Sequence, residues 1–135
     1  MNAKQKGAFG ERAAEKYLVR RGYRIISNNF LARGGEIDLI GYRAGVLVYF
    51  EVKTRSGNTY GTPASAIGAE KIAHIRTAAA EFRRMYVQGG RVPVGYPCGL
   101  TLLRAVHRER IDAVEVYLEN GKTRINHIKD MEKRI

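Results

Sequence analysis

Two carboxylates and a lysine stand out near the middle of the chain. Glu51 and Lys53 are separated by a single valine in an apolar run, and Asp38 lies in the apolar run before it. Glu51 and Lys53 share a face if this run is a strand, because strand side chains alternate. Two adjacent carboxylates suit a hard divalent cation, and we predict Mg²⁺ or Mn²⁺. With Lys53 stabilising developing negative charge, such a site is suited to phosphodiester hydrolysis.

The two apolar runs have the pattern of an antiparallel hairpin. They extend from Glu36 to Tyr42 and from Val46 to Lys53, and a short turn around residues 43–45 separates them. The second run has apolar residues at both even and odd positions, which is typical of a strand buried on both faces. We therefore expect it to be a central strand of the sheet.

The register of this hairpin decides whether Asp38 meets Glu51. Directly opposed residues of an antiparallel pair share a face, and a slip of one residue reverses every side chain. Registers that place Asp38 opposite Tyr49 or opposite Glu51 bring both carboxylates to one face. A register that places Asp38 opposite Phe50 separates them. We predict one of the first two.

The rest of the chain alternates between helical and strand-like patterns. We predict a helix at 3–21, a short strand at 23–26, a loop at 28–35, a helix from Pro63 to about Tyr86, a loop at 88–99 with an extended piece at 92–94, and strands at 100–106, 110–118 and 123–128. This order predicts an α/β fold, and the length suits a single domain over residues 1–135.

The charge balance indicates a polyanionic partner. The chain has 24 Lys and Arg against 13 Asp and Glu, a net charge of +11. We expect nucleic acid as the partner, because it is the usual polyanion for a basic domain. No run approaches the roughly 18 apolar residues of a membrane span. The N-terminus lacks the apolar segment of a signal peptide, so we expect a cytoplasmic protein without a membrane partner. The single cysteine, Cys98, excludes an internal disulfide.

Several motifs together resemble those of the YraN-type predicted endonucleases. The main ones are Gly35–Ile40 and Phe50–Arg55, and the resemblance extends to Gly10–Ala14, Tyr17–Leu18, Gly61–Pro63, Lys71 and Arg110–Asp112. It covers nearly the whole chain and differs mainly in the tract from Gln88 to His107. That family is similar to the archaeal Holliday junction resolvases and to the restriction-endonuclease-like superfamily.

The resemblance implies a restriction-endonuclease-like three-layer core, with a central mixed β-sheet flanked by helices. The superfamily signature, Pro-Asp followed by Asp/Glu-x-Lys, is matched by Asp38, Glu51 and Lys53, whereas Ile37 replaces the proline. The resemblance therefore implies that Asp38 and Glu51 bind the metal and that Lys53 is catalytic.

The resolvase resemblance also implicates Glu11, an acidic residue of the first helix that would join the metal site. No basic residue lies three or four positions from Glu11, so nothing on the same helix neutralises it. Glu36 is a further candidate, because it would share a face with Asp38. On the same resemblance we expect Arg55 and Lys71 to contact nucleic acid.

The leading hypothesis is a metal-dependent endonuclease that hydrolyses DNA, with branched or structured DNA as the substrate that the resolvase resemblance implies. Resolvases act as dimers, because two opposed strands need two sites, and the resemblance therefore allows a homodimer. Two alternatives stay open. One is a non-catalytic nucleic-acid-binding module with the same fold, and the other is a basic interaction protein in which the acidic residues are incidental.

Overall fold

The computed structural model describes residues 1–56 and 67–134 as an α/β fold. Two helices are described, α1 (Ala3–Arg20) and α2 (Ala69–Tyr86). The strands are β1 (Arg24–Ala32), β2 (Gly35–Arg43), β3 (Val46–Ser56), β4 (Arg91–Gly95), β5 (Thr101–Ala105), β6 (Arg108–Glu119) and β7 (Lys122–Ile128). A 3-10 helix, Met131–Arg134, follows them. Neither described helix is long and apolar enough to cross a membrane.

The main sheet has five strands in the order β1-β2-β3-β6-β7. Strands β3 and β6 pair in parallel, and the other neighbours pair antiparallel, so the sheet is mixed. The predicted central strand, β3, lies in the middle of the sheet and is buried over most of its first half. Helices α1 and α2 cover opposite faces, which confirms the predicted three-layer arrangement.

Successive side chains of β3 enter two separate cores in alternation, one on each face of the sheet. Its even-numbered residues Val48 and Phe50 pack with Ala14 and Leu18 of α1. Its odd-numbered residues Leu47 and Tyr49 pack on the other face with Ile72, Ile75 and Phe82 of α2. The alternation of apolar residues on both faces of β3 therefore corresponds to a helix on each side of the sheet.

The predicted loop at residues 28–35 is wrong. Strand β1 continues to Ala32 and pairs with β2 along its length, so a turn at 33–34 joins the two strands. The asparagines that suggested a loop lie within β1, where Asn28 and Asn29 direct their side-chain amides to glutamates of α1. Tertiary contacts with a helix thus outweigh the low strand propensity of asparagine.

The second helix is shorter than predicted. It begins at Ala69, after Gly68 as its N-cap, and ends at Tyr86 as expected. Pro63, where the sequence placed its start, lies outside the described residues. The extended piece expected at 92–94 is the centre of β4, and the three last predicted strands are all present.

The pairing of the later strands was not evident from the sequence. Strand β5 pairs only with β4, in a small second sheet, although it directly precedes β6 in the chain. Strand β6 joins the main sheet beside β3 over eleven residue pairs, from Val46↔Arg108 to Ser56↔Leu118. This parallel pairing places Glu51 and Lys53 within the sheet rather than at its edge, with Glu51 buried and Lys53 half-buried.

Candidate functional site

The hairpin of β2 and β3 has one of the two registers that the sequence predicts. Leu39 pairs with Phe50 and Ile40 with Tyr49, so continuation of the ladder would place Asp38 opposite Glu51. The ladder ends at Leu39 and Phe50, although both strands continue beyond that pair. The two strands therefore separate at Asp38, and we call this separation the fork.

The Asp38 side chain bridges the fork. Its Oδ2 atom accepts a hydrogen bond of 2.8 Å from the backbone N–H of Val52. A carboxylate oxygen thus takes the place of a backbone carbonyl as the partner of a strand amide. This contact holds the Asp38 carboxylate beside the segment of β3 that carries Glu51 and Lys53.

Glu51 is a buried carboxylate in an acidic neighbourhood. Glu51 is only 8% exposed. Burial raises the pKa of Glu51 to about 7, and the negative charge of Asp38 adds to this rise, while Lys71 and Lys53 oppose it. The Nζ atom of Lys71, on α2, lies 3.2 Å from Glu51 Oε2. A second cation near Asp38 and Glu51 would favour the ionised form of Glu51 in the same way.

Glu11 lies in the layer of α1, on the other side of the sheet from Lys71. Helix α1 packs closely on β3. A Cβ atom at Gly10 would lie 1.7 Å from Thr54 Oγ1, so only glycine allows this approach. Burial raises the pKa of Glu11; a hydrogen bond from Asn29 opposes the rise, and the charges of Asp38 and Glu36 add to it. Glu11 is therefore within the electrostatic range of Asp38.

Asn29 positions Glu11, and sequence reasoning did not identify it. Its Nδ2 atom donates a hydrogen bond of 3.2 Å to Glu11 Oε2. The backbone of Asn29 has φ 52°, in the left-handed region that asparagine tolerates better than most residues. The one signal in the sequence was the Asn28-Asn29 pair, which also suits a loop and was interpreted in that way.

The fork fits a divalent cation that takes few protein ligands. Among residues 1–56 and 67–134, no group of three or more His, Cys, Asp and Glu side chains is gathered to hold a metal. Glu11 is thus not assembled with Asp38 and Glu51 into one three-carboxylate cluster. Mg²⁺ commonly takes one or two carboxylates and keeps several waters, and the donor set of Asp38 and Glu51 meets this requirement.

The two basic residues expected to contact nucleic acid face carboxylates in the structure. Arg55 is 14% exposed in its side chain, and its Nε atom lies 3.6 Å from Glu115 Oε2 on β6. Lys71 is 38% exposed and pairs with Glu51. A phosphate-contacting role for either residue stays a prediction.

A second buried carboxylate, Asp112, has the opposite surroundings. Asp112 is fully buried and accepts two hydrogen bonds from Arg110, of 2.8 and 2.9 Å, and one of 3.0 Å from the backbone N–H of Asp130. His127 Nε2 lies 2.7 Å from its Oδ2. Burial raises the pKa of Asp112, but the hydrogen bonds from His127, Arg110 and Asp130 outweigh it and lower the pKa below its ordinary value. This network joins β6 to the segment after β7.

The fold and the fork define a class of protein: a small three-layer α/β protein whose mixed central sheet separates at a pair of carboxylates beside a lysine. The chain belongs to the family described as "Uncharacterised protein family UPF0102", which matches residues 10–116.

Several members of this family are similar to the chain over almost their whole length. A UPF0102 protein of Caldicellulosiruptor bescii is 34% identical over 132 residues, which cover 96% of this chain and 98% of that protein. A UPF0102 protein of Alkaliphilus oremlandii is 35% identical, with 94% and 97% covered. One of Rhodococcus opacus is 37% identical, with 92% of each chain covered.

Proposed function

We propose that this protein is a metal-dependent endonuclease that hydrolyses phosphodiester bonds of DNA, with branched or otherwise structured DNA as its substrate class. The observation that carries the proposal is the fork, where Asp38 bonds the backbone of β3 next to the buried Glu51. A carboxylate pair beside a lysine, on a chain of net charge +11, suits a cation and a phosphate together. The restriction-endonuclease-like resemblance of the sequence agrees with it.

Each residue of the fork has a distinct role in the proposed reaction. Asp38 and Glu51 hold Mg²⁺ or Mn²⁺, which supplies Lewis acidity and lowers the pKa of a bound water. Lys53 projects on the same side of β3 as Glu51 and stabilises the negative charge that develops on the phosphate. Glu11 orients water or completes the ligand set from the α1 side.

Lys71 has a defined part in this proposal. It pairs with Glu51 in the described structure, and in the proposed enzyme it would contact a substrate phosphate in place of Glu51. Lysine is a flexible point charge and is suited to such an exchange of partners. A homodimer would supply the second site that a four-way junction needs.

The test is a cleavage assay on labelled junction, flap, single-stranded and duplex DNA, with Mg²⁺ or Mn²⁺. Asp38→Asn is the most informative variant, because the amide oxygen can still accept from Val52 while the charge is lost. We expect the rate of cutting to fall about a hundredfold or more, the magnitude usual for loss of a charge-stabilising group. Binding of DNA without divalent metal should stay as in the wild type.

A matched pair on α1 tests Glu11. Glu11 and Glu15 each accept a hydrogen bond from an asparagine of β1, and the charge of Asp38 is one of the causes that raise the pKa of Glu11. Glu11→Gln should reduce cutting, whereas Glu15→Gln should leave it unchanged. Equal losses in both variants would mean that the helix contact, rather than the Glu11 charge, matters.

A non-catalytic nucleic-acid-binding module is the second candidate, and the Lys71–Glu51 pair favours it, since the protein itself supplies Glu51 with a cationic partner. Binding without cutting by the wild type, and no rise in thermal midpoint with Mn²⁺, would support the module. A protein that neither binds nor cuts any of the four DNAs would support a basic interaction protein instead.

A further inference from the structure

Helix α1 separates its charges by flank. Glu11 and Glu15 face β1, where asparagine side chains bond them. Arg12, Lys16 and Arg20 lie on the other flank, towards the edge strand β7, and they line a cleft of about 450 Å³ between α1 and that strand. The helix therefore carries Glu11 on the flank beside the fork and these three cations on the other, basic flank. Glu15 lies between them and lines a further depression with the same three cations.

The basic flank continues into a second cleft around the C-terminal end of α1. This cleft has a volume of about 790 Å³ and shares Tyr17 and Arg20 with the first. It adds Arg21, Arg43 and Lys129 from three further segments of the chain. No carboxylate of the described residues lines either cleft. We call the two together the α1 cleft.

The three cations of the helix are not neutralised. Arg12, Lys16 and Arg20 follow each other at intervals of four residues, a spacing at which like charges destabilise a helix. Within residues 1–56 and 67–134, none of the three forms a salt bridge. An external anion that neutralises them would remove this repulsion.

The basic residues of α2 give a direct contrast. Arg76, Arg83 and Arg84 also lie on a helix, but they pair with Glu132, Glu109 and Glu81 respectively. The positive charge of α2 is thus balanced within the protein. The positive charge of Arg12, Lys16 and Arg20 is left for a partner.

The shape of the α1 cleft favours a nucleic-acid backbone over a membrane surface. An interfacial membrane helix must turn its apolar face outwards, whereas Ala14 and Leu18 of α1 are fully buried against the sheet. Successive cations rise about 6 Å along the helix axis, which suits a chain of phosphates in a groove. Tyr17, which carries the Arg21 guanidinium 4.5 Å from its ring centroid, adds an aromatic surface for a sugar or base.

We infer that the α1 cleft binds the sugar–phosphate backbone of nucleic acid, on the flank of α1 opposite Glu11. The inference rests on the proposed function in taking nucleic acid as the partner, but it does not depend on cleavage. In the proposed enzyme, this contact holds the substrate across α1 so that a scissile phosphate reaches the fork.

The test measures binding of a fluorescent duplex and a four-way junction in buffer with a metal chelator, over a range of salt concentrations. The cleft variant is the triple substitution Arg12→Ala, Lys16→Ala and Arg20→Ala. The matched control, Arg84→Ala, Arg91→Ala and Arg104→Ala, removes the same charge from exposed positions outside the cleft. Each lost phosphate contact lowers the salt slope by about 0.9. We expect the slope to fall by about 2 to 3 and the affinity by about tenfold or more in the cleft variant alone.

A single substitution distinguishes a loss of DNA binding from a loss of folding. Lys16→Glu creates opposite-charge pairs with Arg12 and Arg20 at a spacing that stabilises a helix, yet it reverses the field in the cleft. It should bind DNA more weakly while keeping its thermal midpoint. Equal weakening in the control triple would overturn the inference, because the effect would then be one of net charge.

Two further outcomes separate the hypotheses. The cleft variant is compared with the wild type for binding to anionic phospholipid vesicles as well as to DNA. If the cleft variant loses vesicle binding but binds DNA as the wild type does, the inference is overturned in favour of a membrane surface. If the wild type cuts no DNA but only the cleft variant loses DNA binding, the proposed endonuclease function is wrong and the proposed binding role of the α1 cleft is supported.

Discussion

At the scale of single residues, the surroundings of a buried carboxylate decide what it can do. Glu51 is buried beside another carboxylate, and its pKa rises to about 7. Asp112 is also buried, but hydrogen-bond donors surround it and its pKa falls. A carboxylate whose charge is poorly compensated is suited to bind a cation, whereas a fully compensated one is suited to hold the fold together.

The first prediction concerns this structural carboxylate. Asp112→Asn removes the charge that faces Arg110 and leaves the guanidinium half-buried without its counter-ion. Loss of one partner of a buried ion pair costs about 3–5 kcal/mol of unfolding free energy. Urea unfolding at pH 7 measures it. Tyr23→Phe, which removes only a hydroxyl that accepts from Arg110, should cost about 1 kcal/mol.

The effect of Asp112→Asn should depend on pH in a definite direction. A carboxyl with a lower pKa in the folded state than in the unfolded state stabilises the fold above about pH 4 and loses this contribution as pH falls through its folded pKa. The difference in unfolding free energy between the wild type and Asp112→Asn should therefore have its full size at pH 7 and become smaller towards pH 3. A difference that grows on acidification would contradict the assignment.

At the scale of elements, glycines set how closely each helix approaches the sheet. Gly10 lets α1 lie against Thr54 of β3, and a Cβ at Gly35 would lie 2.3 Å from the backbone oxygen of His74 in α2. These two approaches place Glu11 in the helical layer on one side of the sheet and Lys71, which pairs with Glu51, in the layer on the other side. The position of the site thus depends on helix packing as well as on strand register.

The second prediction compares two glycines of the same helix. Gly10→Ala forces α1 away from β3 and should lower the unfolding free energy by about 1–3 kcal/mol, the usual cost of overpacking. Gly7→Ala introduces a Cβ with no neighbour within 4 Å and should stabilise the helix by about 0.5–1 kcal/mol. Thermal or urea unfolding measures both. A stabilising Gly10→Ala would show that α1 is free to shift on the sheet.

At the scale of the whole molecule, the two cores share one sheet. Phe50 of β3 packs towards α1, and Phe82 of α2 packs against the opposite face of the sheet, while neighbouring residues of β3 enter both cores. Strand β3 loses partners on both faces if either core opens. The cores should therefore unfold as one cooperative unit, which is what a single domain would do.

The third prediction tests this cooperativity. Phe50→Ala and Phe82→Ala should each lower the unfolding free energy by about 3–5 kcal/mol, because each leaves a cavity in a packed core. Each substitution should also raise hydrogen exchange of core amides in both α1 and α2. Faster exchange confined to the helix beside the substitution, or two separate transitions, would mean that the two layers are independent units.

The features that depend on local pattern could be predicted from the sequence. Helix α1 and the hairpin of β2 and β3 follow from hydrophobic periodicity and a short turn, and so does the same-side placement of Glu51 and Lys53. The register was predicted only as one of two alternatives, and the structure has the one whose continuation places Asp38 opposite Glu51. Asp38 and Glu51 were found because a strand places chemistry-bearing residues at alternate positions. The prediction of a loop at residues 28–35 was wrong because it also relied on local pattern, and asparagine has the local propensity of a loop.

The features that depend on contacts between distant segments could not be predicted from the sequence. Local pattern carries no information on which strand pairs with which, so the parallel pairing of β3 with β6 and the separate β4–β5 sheet were not evident. The fork, the contact of Asn29 with Glu11 and the pairing of Lys71 with Glu51 likewise require helices docked on both faces. The α1 cleft exists only because the edge strand β7, from the far end of the chain, lies beside the basic flank of the first helix.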